Sequence, residues 1–98
     1  MGQVKWTDKS VSDLYGIHEY ISKNSVVYAS RIVHSIIKST DVLHTQPFLG
    51  RVVPELDDSA IREIVYKDYR IVYRLMNERD VEILIVFHGR REFPDIDH

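Results

Sequence analysis

A chain of 98 residues, 44% apolar and 29% charged, holds one domain, 1–98, around a single core and leaves no room for a second. Without cysteine there is no disulfide framework and no thiolate zinc site, so a reducing, cytoplasmic setting is expected; no apolar run approaches the ~20 residues of a membrane helix, and the N-terminus has no signal core. A net charge of −2 argues against a general nucleic-acid binder, although six of the eight arginines gather between Arg62 and Arg91.

Residues 3–6, "QVKW", alternate polar and apolar and predict a short strand. Thr7 or Asp8 can cap the helix that follows, because either side-chain oxygen accepts from the free amides of a first turn. Val11, Leu14, Ile17, Tyr20 and Ile21 recur at three- and four-residue steps and predict a helix ending near Ser22. Gly16 costs that helix roughly 1 kcal/mol relative to alanine, which suggests close approach of a second helix. After the break at "KNS", Ser25 caps that second helix, whose stripe of Ala29, Ile32, Val33, Ile36, Ile37, Thr40 and Leu43 runs until Pro47. So short a connection makes the two helices an antiparallel hairpin. "QPFLGRVVPELDDS" is loop chemistry, and beyond Ile61 the period changes to two. "IREIVY", "YRIVYRLM" and "VEILIVFH" predict a three-stranded antiparallel meander, so the fold class is α+β.

Turn lengths assign the faces. A two-residue turn at Lys67-Asp68 sets Tyr66 opposite Tyr69, Ile64 opposite Ile71 and Arg62 opposite Tyr73. A three-residue loop from Asn77 to Arg79 sets Arg74 opposite Glu82, an ion pair worth roughly 0.2–1 kcal/mol. Strict alternation then buries Ile71, Tyr73, Leu75, Ile83, Ile85 and Phe87 under the helices. The other face receives Ile61, Glu63, Val65, Arg70, Val72, Arg74, Glu82, Leu84, Val86 and His88, with Arg90 and Arg91 just beyond. Its apolar floor of Val65, Val72, Leu84 and Val86 needs cover, since each such side chain left in water forgoes roughly 1.5–3 kcal/mol. The chain's own tail, folding back through Phe93, could supply it; a partner's apolar segment is the preferred occupant.

The five histidines offer no i, i+4 pair for a metal, and the four glycines are too scattered to cradle a phosphate, so no metal and no cofactor is expected. Arginine and one histidine remain. On one face, Arg70 could bind a phosphate while His88 moves a proton, which suffices for metal-free RNA cleavage. The same arginines could instead anchor an acidic protein, or simply pair with Glu63 and Glu82 on a solvated sheet.

The segments "GRVVPEL", "IREI", "YRIVYRL" and "VEILIVFHGRREF", in that order after a strand and a helix hairpin, resemble the RelE/ParE superfamily of type II toxins, the plasmid-stabilisation proteins. The resemblance spans nearly the whole chain. It implies a small cytoplasmic toxin neutralised by a cognate ParD/RelB-like antitoxin whose C-terminal segment wraps the hairpin and sheet, with Val65, Val72, Leu84 and Val86 as candidate antitoxin contacts. RelE-like members are ribosome-dependent mRNA endonucleases, or mRNA interferases; for that class Arg70, His88 and Glu55 of "PEL" would carry the chemistry. ParE-like members are non-enzymatic DNA gyrase inhibitors, for which Arg74, Arg90 and Arg91 become the target-binding candidates. Ile61 and Glu63 stand where RelE places basic residues, and Gly89 follows the histidine where a tyrosine can stand. "HGRR" is therefore closer to the ParE branch, with "REFPDIDH" as a short mobile tail.

Overall fold

The computed structural model describes residues 1–96 as an α+β fold in which a helix hairpin packs on one face of a five-stranded sheet. Along the chain run β1 (Val4–Trp6), α1 (Asp8–Ser22), α2 (Val26–Ser39), a 3-10 turn (Asp41–His44), β2 (Arg51–Val52), β3 (Ile61–Tyr66), β4 (Tyr69–Leu75) and β5 (Val81–His88). The sheet order is β1-β5-β4-β3-β2, with β1 parallel to β5 and every other pair antiparallel. Among the described residues no helix is long and apolar enough to cross a membrane.

Thr7 is the cap of α1: its Oγ1 accepts from the Ser10 N–H at 3.1 Å and donates to the Ile83 carbonyl at 2.8 Å, so one hydroxyl starts the helix and ties it to β5. Ser25 caps α2 through the Tyr28 N–H at 3.0 Å. The second helix ends earlier than its apolar stripe predicts. Thr40 Oγ1 turns back to the Ile37 carbonyl, and the chain tightens into the 3-10 turn that still delivers Leu43 to the core. Gly16 does not abut α2; nothing lies within 4 Å of where its Cβ would stand. Its place is over the end of the sheet.

The β3–β4 register follows the two-residue turn as predicted, with Lys67 at φ 52°, the left-handed conformation so tight a hairpin requires. Arg74 opposes Glu82, and the Met76 N–H closes the Asn77–Arg79 loop on the Asp80 carbonyl at 2.9 Å. Between those points and the far end of β5 lies a β-bulge. Tyr73 pairs with Ile83 but Val72 pairs with Ile85, so Leu84 is supernumerary and the parity of every later residue is reversed.

Two cores result. Under the helices lie Leu14, Ile32, Ile36, Leu43, Ile71, Tyr73, Val81, Ile83 and Val86. On the other face, Val53, Ile61, Val72, Leu84, Ile85 and Phe87 pack with Leu56, Phe93 and Ile96. Ile85 and Phe87 therefore leave the helical layer to which alternation assigned them, and Val86 and His88 enter it.

Glycine, proline and polar residues suggest only a loop at 46–59, yet Arg51 and Val52 pair with Glu63 and Arg62 as a short edge strand. The loop ahead of it is held by Tyr73, whose buried hydroxyl donates to the Pro47 carbonyl at 2.7 Å and accepts from the Gly50 N–H at 2.9 Å. Removing that hydroxyl strands a buried donor and a buried acceptor at once. Tyr73→Phe is expected to lower unfolding stability by about 1–3 kcal/mol in urea titration, without change in the far-ultraviolet spectrum.

Candidate functional site

The outer sheet face is organised by a buried carboxylate. Glu63 projects from β3 with its side chain fully buried, a costly position unless each oxygen finds a cation. Its Oε1 accepts from Arg70 Nε and its Oε2 from Arg51 Nε, both at 2.6 Å. Arg70 spends its remaining two nitrogens on Glu55, donating to Oε2 at 2.7 Å and Oε1 at 2.8 Å in a two-pronged pair. The guanidinium carbon also lies 5.2 Å from the ring centres of both Phe87 and Phe93, whose rings meet edge to face at 5.5 Å. Loop, strand and tail thus converge on one side chain.

This arrangement changes the chemistry of the expected catalytic trio. Glu55 is held far below the ordinary carboxylate range, at about 2, chiefly by its hydrogen bonds to Arg70. Such a carboxylate is a poor general base at neutral pH. Arg70 is raised above its usual value, chiefly by the same Glu55 bond, and all three guanidinium nitrogens are engaged. His88 lies across the sheet from both: it pairs with Tyr69, and their rings meet edge to face at 5.4 Å on the helical side. Arg70 and Glu55 are together; His88 is apart.

Arg74 makes its predicted pair with Glu82 at 2.8 Å. Arg90 and Arg91 follow β5 in a turn fixed by the Gly89 N–H on the Asp68 carbonyl and the Arg91 N–H on the His88 carbonyl, and both are exposed. The apolar floor is not open. Phe93 and Ile96 of the tail, with Val53 and Leu56, cover Val72 and Leu84; Val86 is beneath the helices through the bulge, and only Val65 stays exposed, at 57%. The tail expected to be mobile is thus packed through Ile96, while Asp97 and His98 lie outside the described residues.

A second surface escaped the period-based reading. Trp6, Val11, Leu14, Tyr15, His18, Val33 and Ile37 line an apolar groove of about 560 Å³ along the hairpin. Val11 and Ile37 belong to the predicted stripes, but their exposure shows each stripe to be wider than the face the sheet can cover.

Two tests follow from the Arg70 cluster. Arg70→Ala leaves buried Glu63 with one partner and is expected to cost about 3 kcal/mol in urea unfolding, with little recovery in Arg70→Lys, whose point charge cannot bridge two carboxylates. Because the pKa of Glu55 is depressed on folding, its contribution is complete above its ordinary value of 4.5 and lost as pH falls toward 2. The stability gap between wild type and Glu55→Gln should therefore be level at neutral pH and close across that window in denaturation at stepped pH.

The family described as the ParE toxin of the type II toxin–antitoxin system, parDE, matches residues 4–93. Y4kP of Sinorhizobium fredii is 36% identical over 96 residues, covering 96% of this chain and 95% of its own. Toxin RelE2 of Caulobacter vibrioides is 29% identical over 91 residues, covering 93% and 99%. The solved chromosomal ParDE system of P. aeruginosa shares the fold with a TM-score of 0.73 at 21% identity, over 90% of this chain and 96% of that one. Matched by the family model over residues 4–93 and by a 36% identical relative over 96% of its length, this chain belongs to the ParE toxin family of type II toxin–antitoxin systems.

Proposed function

We propose that the chain inhibits DNA gyrase in the cytoplasm without being an enzyme, and that a cognate ParD-like antitoxin neutralises it. The observation that carries this reading is the dispersal of the ribonuclease trio: Arg70 is saturated by Glu55 and Glu63, and His88 is on the opposite sheet face. A phosphodiester would have to displace two carboxylates to reach Arg70. The family match over residues 4–93 supports the same branch. The apolar hairpin groove suits an amphipathic antitoxin helix laid between α1 and α2. The 29% identity to Toxin RelE2 favours a second reading, ribosome-dependent mRNA cleavage.

Purified chain incubated with gyrase, supercoiling substrate and ATP should block supercoiling or trap cleaved DNA, and should leave mRNA on translating ribosomes uncut; the reverse pattern overturns the proposal. In growth assays, His88→Gln, which keeps an N–H donor but cannot shuttle a proton, keeps toxicity, whereas Arg90→Ala with Arg91→Ala raises the inhibitory concentration about tenfold or more, the effect of losing 1.4 kcal/mol of contact. Tyr15→Asp with Ile37→Asp should abolish antitoxin binding in calorimetry and leave the toxicity of the free chain intact.

A further inference from the structure

Gly16 occupies the middle of α1, where glycine is the least favourable residue after proline. Its φ is not positive, and a Cβ would meet nothing within 4 Å. Neither backbone conformation nor close packing calls for glycine. What its missing side chain leaves open is a cleft of about 570 Å³ between α1 and the end of β5. Ile17 and Val86 give it an apolar floor, and Tyr20, Tyr69, His88 and Arg91 stand around it.

Every polar side chain lining the cleft except Asp13 can donate: Arg91, His88 and the hydroxyls of Ser12, Tyr20 and Tyr69, which can also accept. His88 Nδ1 accepts from the Arg90 N–H at 3.2 Å, which places the proton of the neutral ring on Nε2. Arg91 forms no ion pair among the described residues. Asp13, the carboxylate in the wall, is already engaged by Lys9 and by the Val86 N–H at 2.9 Å. An entering group should therefore bring apolar bulk and one acceptor with negative charge.

We propose that the Gly16 cleft is the seat for the toxin's protein target, taking an apolar or aromatic side chain of the target with a neighbouring carboxylate set on Arg91 and His88 Nε2–H. The proposal rests on the reading of this chain as an inhibitor of a protein. Nucleic acid fits less well, because a polyanion needs several cations along its track, and Arg91 is the only Lys or Arg among the described residues lining a cleft whose wall includes Asp13.

Gly16→Leu fills the cleft from a helical position where a Cβ meets nothing within 4 Å, and Gly16→Ala controls for helix propensity. Both variants should melt no lower than wild type, and both should bind antitoxin within about twofold in calorimetry. Gly16→Ala should retain gyrase inhibition, whereas Gly16→Leu should need about tenfold more toxin, a contact loss of the size that decides target binding, and should no longer arrest growth. Wild-type potency in Gly16→Leu overturns the proposal, and so does a matching loss of antitoxin binding, which would make the cleft the antitoxin's seat. A fluorescent single-stranded oligonucleotide that binds wild type but not Gly16→Leu also overturns it, in favour of nucleic acid. If wild type arrests growth without touching gyrase and Gly16→Leu relieves the arrest, the gyrase reading fails while the cleft stands as the seat for a different protein target. Should Gly16→Leu not fold, Arg91→Glu carries the test: the same loss of inhibition with intact antitoxin binding supports the proposal, and unchanged potency overturns it.

Discussion

One extra residue in β5 governs both surfaces of this molecule. A strand has a side-chain period of two, so inserting Leu84 between the Tyr73–Ile83 and Val72–Ile85 pairs exchanges the two faces for everything downstream. Phe87 is thereby delivered to Arg70, where it forms one wall of the guanidinium's enclosure. His88 is delivered to the helices, where it meets Tyr69 and the cleft beneath Gly16. Without the bulge, His88 and Arg70 would share a face, as a ribonuclease site requires. The register of two strands thus separates two chemistries.

Around Arg70 the energetics are those of a closed circuit of charge. Burying Glu63 is unfavourable by itself, and the two arginine Nε–H donors offset that by satisfying both of its oxygens. Glu55 then takes the rest of the Arg70 fork, and the two phenylalanine rings exclude water from its sides. Since Glu55 comes from the loop and Phe93 from the tail, the network joins segments that have little regular structure of their own. It also explains why the sheet's second face is covered from within: the tail is drawn to an apolar floor and to a cation at its edge.

Much of the fold was legible in the sequence because periodicity and turn chemistry were unambiguous there. Thr7 or Asp8, and Ser25, marked helix starts, the Lys67-Asp68 turn set the β3–β4 register, and the Asn77–Arg79 loop placed Arg74 against Glu82. The bulge was not legible, because Ile83 to Phe87 are apolar without interruption and either parity buries a hydrophobic side chain on each face. That single ambiguity misplaced Ile85, Val86, Phe87 and His88. The pairing of Glu55 with Arg70 was equally hidden: a loop carboxylate declares no partner until the loop's path is known. Gly16 was visible as an anomaly, but its cause, an open cleft and not a close helix, depends on what lies across from it.

The parallel contact between β1 and β5 has a bearing on how the chain reaches its native state. Val4 pairs with Val81 and Trp6 with Ile83, so β1, once synthesised, waits for β5 before the sheet can close. The helix hairpin can form from local contacts, but its sheet-side cover cannot be completed until β5 has left the ribosome. A nascent fragment that stops short of β5 is consequently an unfinished layer, its helices still lacking the Val81, Ile83 and Val86 side chains they pack on.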